Sequence, residues 1–178
     1  LFRSYHASNT SEPETEYLQF TTAGTADAAY WDDTAPTGGS SGVFSVGLTS
    51  PVNSANTENY IAYCWHSVDG YSKVGSYTGS TSLPFIFLGF KPAYIMVKRT
   101  DWTNNLGWAI FDNKRDIDNL VESDLLANSS GDESTVVGMD FLSNGFKLRS
   151  TDVTWNTNNG SYIFIAFAEH PTKFSTAR

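Results

Sequence analysis

Near its C-terminal end the chain reads "GSYIFIAFAEH", with seven consecutive apolar residues from Tyr162 to Ala168. The run is far shorter than the ~20 residues that span a membrane. It is rich in aromatic and β-branched side chains and bounded by Gly160 and Glu169, so it reads as a strand covered on both faces. Such a strand requires other strands around it. "NYIAYCWHSV" at 59–68 supplies a second run of the same kind. Ile61, Tyr63 and Trp65 alternate with Ala62, Cys64 and His66, both faces are largely apolar, and a central position is predicted.

Shorter strand patterns fill the rest. They are "EYLQFTT" from Glu16, "VFSVGLT" ending near Pro51, "GYSKVGSYTG", "PFIFLGF", "PAYIMVKRT" and "GWAIFDNKR". Pro84 and Pro92 fall at strand starts, where a missing N–H is tolerated. "VVGMDFLSNGFKLRS" predicts a hairpin turning at Asn144-Gly145, a pair suited to positive φ. "NLVESDLLANSSG" is ambiguous: Leu120, Val121 and Leu125 fit one helical face, but its Ser and Asp residues weaken a helix. Roughly ten strands at spacings of about 8–15 residues, with no long helix, predict an all-β antiparallel two-sheet sandwich of jelly-roll type. The chain's 178 residues suit one domain, taken as residues 17–178 behind a polar linker at 1–16.

Charge and cysteine content narrow the partners. A net charge of -8 repels phosphate backbones, which argues against nucleic acid. One cysteine excludes an internal disulfide and a cysteine-based zinc site. Neither a membrane span nor a signal peptide is visible, and the chain opens on Leu1, as the C-terminal piece of a larger protein would.

Six blocks stand in order: "YWDDTAP" with "VFSVG", "NYIAYCWHSVDGYSKVGSYTG", "GFKPAYIMVKRTD", "WAIFDNKRD", "DFLSNGFKLRS" and "YIFIAFAEHP". Together, from about Tyr17 onward, they resemble a C-terminal domain of large structural proteins of marine tailed bacteriophages, itself similar to concanavalin A-like lectin/glucanase and SPRY sandwiches. The resemblance implies a virion protein of a tail fibre or tail tip. It also implies adhesion to host-surface glycan without catalysis, contacts with other virion proteins, and a homotrimer. A purely architectural module, decorating a capsid or linking tail proteins, is the alternative. Fold likeness alone does not transfer function.

Cys64 and His66 share a face two residues apart, but neighbours along one strand project side by side, and an apolar surrounding keeps a thiol inert. A buried core cysteine is the expectation. Glu12, Glu14 and Glu16 alternate as glucanase acids do, yet Pro13 interrupts them and no apolar alternation anchors them in a sheet. A glycan-cleaving enzyme therefore lacks its pair of carboxylates. His6, His66 and His170 are scattered, and no calcium template is matched, although Asp101, Asn104 and Asn105, or Asp152 with Asn156, carry suitable oxygens. No metal or other cofactor is expected.

Sugar rings present C–H faces to aromatic rings, while Asn and Asp bind hydroxyls. "RTDWTNNLGW" puts Trp102 on a loop with Asp101, Asn104 and Asn105; "STDVTWNTNNG" puts Trp155 on another with Asp152 and Asn156. Loops at one end of a scaffold can share a site. Core capping or a subunit interface is the competing role for these tryptophans; Trp65 and Trp108 are expected in the core. Positive charge gathers at residues 98–100 and 113–116, where ion pairing or an acidic glycan would engage it.

Overall fold

The computed structural model describes residues 16–18, 24–31, 44–54, 58–102, 104 and 106–171. Among them ten strands form: β1 (Glu16–Tyr17), β2 (Thr25–Ala26), β3 (Ser72–Thr78), β4 (Phe85–Phe87), β5 (Pro92–Arg99), β6 (Ala109–Asp112), β7 (Val121–Leu126), β8 (Ser134–Leu142), β9 (Gly145–Leu148) and β10 (Ser161–Ala168). A four-residue helical turn, α1 (Ser50–Asn53), precedes β3. β1 pairs with β2; the other eight form one antiparallel sheet in the order β3-β10-β5-β6-β7-β8-β9-β4. The fold is all-β, and its sheet curls nearly into a barrel. The two edge strands approach each other, with the Lys73 ammonium 5.5 Å from the Phe87 ring centre.

β10 is the buried strand that its sequence predicts, flanked by β3 and β5. Alternation splits its side chains between two clusters. Tyr162, Phe164 and Ala166 face the main core with Ile95, Val97, Phe111, Met139 and Phe146. Ile163 faces outward onto Leu18, Trp108 and Met96. Each large apolar side chain taken from water contributes about 1.5–3 kcal/mol, so the inner cluster supplies most of the drive to fold. Pro92 opens β5 and Pro84 directly precedes β4, as expected.

Three local expectations are corrected. The central strand predicted at 59–68 does not form: Ile61 is 80 % exposed, Tyr63 70 %, Trp65 53 %, and Cys64 is exposed. Of its residues only Val68 bridges to β3, at Ser72. Side chains displace the ladder here. The Ser67 hydroxyl accepts from the Val74 N–H at 3.0 Å and donates to its carbonyl at 3.3 Å, while the Ser72 hydroxyl holds the His66 carbonyl at 2.9 Å. The described part of "VFSVGLT" is not a strand, and Pro51 is the second residue of α1, in the first turn, where its missing N–H is harmless.

The ambiguous segment is a strand, because β7 sends Val121 into the main core between β6 and β8. The hairpin exists but turns at Ser143-Asn144, with Leu142 opposite Gly145, and neither Asn144 nor Gly145 has positive φ. Gly145 is needed for closeness: a Cβ there would lie 2.1 Å from the Ile86 carbonyl oxygen of β4. Of the described part of "EYLQFTT", Glu16–Tyr17 is a strand and Leu18 is buried; Gln19, Phe20, Thr21 and Thr22 lie outside the described residues.

Candidate ligand-binding surface

The end of β5 and the start of β10 lie side by side, Arg99 opposite Tyr162, and the Thr100 N–H donates to the Ser161 carbonyl at 2.9 Å. This brings the loop after β5 to the loop before β10. Arg99 joins them. Its side chain is almost wholly buried; Nε donates to Asp101 Oδ1 at 2.7 Å. The guanidinium carbon lies 4.4 Å from the Trp102 ring centre and 5.9 Å from that of Tyr162. One terminal nitrogen, Nη1, is buried with no hydrogen-bond partner among the described residues. An unmet buried donor costs about 1–3 kcal/mol, and the stacked indole offsets part of that. Tyr162 closes the arrangement: its hydroxyl donates to the Val153 carbonyl at 3.0 Å and accepts from the Thr157 N–H at 2.8 Å. Burial pushes the Tyr162 phenol above its ordinary pKa, so it remains the protonated donor.

The residues expected to bind ligand divide sharply. Trp102 is 37 % exposed, with one face on Arg99. Asp101 and Asn104 are exposed beside it; Asn105 lies outside the described residues. Trp155 and Asn156 belong to the interior. Trp155 is 2 % exposed, meets Phe111 edge-to-face at 5.3 Å, and donates its indole N–H to Ser150 Oγ at 3.1 Å. Asn156 is fully buried. Its Oδ1 accepts from the Ser80 N–H at 2.8 Å, and its Nδ2 donates to the carbonyls of Ser80 at 3.0 Å and Ser150 at 2.7 Å. Asp152 caps the same turn, taking the Thr154 N–H on Oδ1 and the Asn156 N–H on its carbonyl. A sugar stacked on Trp155 is therefore corrected to a core-capping role. Trp108 is buried as expected, whereas Trp65 is not.

The remaining candidates fall elsewhere. Cys64 is an exposed thiol, not a core one, and no hydrogen bond links it to His66. Glu12, Pro13, Glu14 and His6 lie outside the described residues. Among the described residues no group of three His, Cys, Asp or Glu could hold a metal ion. The basic clusters are not solvent-facing pairs. Lys98 is fully buried, donates to the Leu106 carbonyl at 2.6 Å, and is lowered by burial to a pKa of about 8. Arg115 is partly buried, bonded to Asp112 at 2.7 Å and to Glu133 at 3.3 Å.

Two hollows mark the surface of the described residues. An apolar one of about 240 Å³ is lined by Trp65, Tyr94, Met96, Ile165 and Phe167 on the outer face of the sheet. A polar one of about 150 Å³ includes Lys91, Asn113, Asp116 and Asp118. Asp116 there is already committed to the N–H groups of Glu122 and Ser123. Sequence reading missed Arg99 as the element linking the two loops. The only signal was its place in the basic cluster, two residues before Asp101 and three before Trp102.

A curled antiparallel sheet with an exposed loop tryptophan over a buried arginine defines an all-β domain that offers a polar-aromatic surface at one end. The chain belongs to the family described as Domain of unknown function (DUF7483), whose model matches residues 2–171. Searches of curated proteins and of solved structures found no match.

Proposed function

We propose that this domain is a non-enzymatic binding module of a tailed-bacteriophage virion, carried on a tail fibre or tail-tip protein, that adheres to host-surface polysaccharide. In this reading the curled sheet is the concanavalin A-like sandwich that the six sequence blocks resemble, and the domain works on the extracellular particle as a homotrimer among other virion proteins. The observation that carries adhesion is Trp102, a loop indole 37 % exposed and braced from beneath by Arg99, with Asp101 and Asn104 beside it. An indole held flat by a guanidinium offers its other face to the C–H face of a sugar ring without the entropy cost of fixing a mobile side chain. The orphaned Nη1 of Arg99 would gain a partner from a ligand oxygen that reached it.

The architectural reading, in which the domain decorates a capsid or links tail proteins, is favoured by a different observation: Ile61, Tyr63 and Trp65 expose apolar surface suited to protein contacts. Titrating the native chain, in its own oligomeric state, against host cells and extracted surface polysaccharide separates the two. Saturable binding that weakens at least tenfold in Trp102→Ala, with the fold intact by circular dichroism, is the expected result. A native chain that binds neither cells nor polysaccharide would overturn adhesion and leave the architectural role.

A further inference from the structure

We propose that Lys91, Asn113 and Glu169 form a self-reacting triad: the Lys91 amine displaces ammonia from the Asn113 side-chain amide while Glu169 moves the protons, leaving an isopeptide cross-link between the start of β5 and the end of β6. This chemistry is independent of the adhesion reading. Three strand ends deliver the groups. Lys91 directly precedes β5, Asn113 directly follows β6 and Glu169 directly follows β10. The Asn113 N–H donates to the Ala93 carbonyl at 3.0 Å, and the Glu169 N–H to the Lys91 carbonyl at 2.9 Å. A register shift between Phe167 and Ala168 sets Ala168 opposite Pro92. Without it, alternation would send Glu169 to the outer face with Ile163. With it, Glu169 stands across from Lys91, on the row that continues through Ile95 and Val97 into the main core.

The Glu169 carboxylate holds both reactants at once. The Lys91 ammonium lies 2.9 Å from its Oε2, and Asn113 Nδ2 donates to its Oε1 at 2.9 Å. A carboxylate only accepts, so it turns the amide nitrogen, the leaving group, toward the acid that must protonate it. Asn113 is buried, and its Oδ1 has no hydrogen-bond partner among the described residues. The structural amides of Asn156 and Asn119 are bonded at both ends. Asn113 is held only by its nitrogen, on the carboxylate that also carries an amine. Lys91 and Asn113 line the same polar hollow of about 150 Å³. The Lys91 side chain is 41 % exposed, so ammonia has a way out.

The step needs no co-reactant. The hydrogen bond from Lys91 keeps the Glu169 carboxyl below the usual glutamate range, so it is ionised. It takes one proton from the Lys91 ammonium, and the freed Nζ lone pair attacks Asn113 Cγ. Glu169 gives that proton to Nδ2. The Cγ–Nδ2 bond breaks as the carbonyl re-forms, and the second proton shed by Nζ follows to the departing ammonia. An ammonium and a carboxamide become a secondary amide and an ammonium ion, with the charge unchanged. Amines attack amides slowly in water, but well-oriented intramolecular reactants gain effective molarities on the order of 10⁵–10⁸ M. The product staples two neighbouring strands in a chain whose single cysteine can form no internal disulfide.

The intact mass of the purified native chain reads the bond. It is expected to fall below the sequence mass by one ammonia, with Lys91 and Asn113 recovered in one branched fragment after proteolysis. Lys91→Arg keeps a cation on Glu169 but supplies no amine, and Glu169→Gln keeps the shape without the base. Each should retain the full sequence mass, with the β-rich fold intact by circular dichroism. A purely structural ion pair would leave the wild-type mass whole. Wild-type chain at its full sequence mass after days at neutral pH would therefore overturn the proposal. So would a loss of ammonia that survives Lys91→Arg, which would assign it to succinimide at Asn144-Gly145 or Asn159-Gly160.

Discussion

Lys98 is a charge that the fold has largely taken out of water. It sits opposite Ile163 on β10, on the outward-facing side that carries Met96, and burial lowers its pKa to about 8. Between pH 8 and 10 the unfolded chain holds this proton more tightly than the folded one, so stability rises with pH through that window. The full gain is about 3 kcal/mol at 1.36 kcal/mol per unit. Above pH 10 the trend reverses, because burial raises the phenols of Tyr77 and Tyr162 and the unfolded chain ionises first. Urea unfolding at pH 7 to 10 should show the rise, and Lys98→Met should flatten it. The two loop tryptophans, alike in sequence, should part. Trp155→Ala should cost about 3–5 kcal/mol as a core truncation, whereas Trp102→Ala should stay within about 1 kcal/mol. Equal losses in thermal melts would refute that division. Their sequence contexts could not separate them: each is a lone indole among Thr, Asn and Asp, and only distant partners, Phe111 and Arg99, decide which is covered.

At the level of elements, β10 and β5 lie where their apolar pattern puts them, because burial makes the pattern and the location one fact. The edge strands β3 and β4 were legible from the turn residues and the proline that bound them. Residues 59–68 carry an equally strong pattern, yet Ser67 and Ser72 answer the backbone of β3 through side chains. Propensity cannot report such local competition. The Asn144-Gly145 signal named the right hairpin for the wrong reason. Gly145 is small because β4 crosses at its Cα, so Gly145→Ala should destabilise the protein by about 1–3 kcal/mol despite its ordinary φ. A substitution without effect on the unfolding midpoint would mean that β4 can move away. β7 was ambiguous because Leu120, Val121 and Leu125 also fit one helical face, and the irregular register between Val121 and Ser123 breaks the alternation that would have marked a strand.

For the whole molecule, the all-β class followed from many short runs separated by turns, while closure of the sheet did not. Curling depends on accumulated twist and on contacts such as Lys73 with Phe87, which join strands far apart in sheet order. The loop end was likewise half legible. The loop from Asp101 and the loop before β10 do meet, but through Arg99 and Tyr162 rather than through paired tryptophans. Asn156→Ala tests the meeting at this scale. It strips three backbone groups of their partner and should cost about 2–3 kcal/mol, lowering the melting temperature by several degrees. An unchanged melt would show that water replaces the amide.

That same amide has an evolutionary consequence. One loop at this end is riveted to the chain on three sides through Asn156, so almost any change within the rivet is paid for in fold. The neighbouring loop is held at its two ends, by Arg99 on Asp101 and Trp102 and by Lys98 on the Leu106 carbonyl. A lineage that must track a changing partner can rewrite the second loop freely and leave the first untouched. Variation among relatives should accordingly concentrate after Asp101, on a platform whose own sequence stands still.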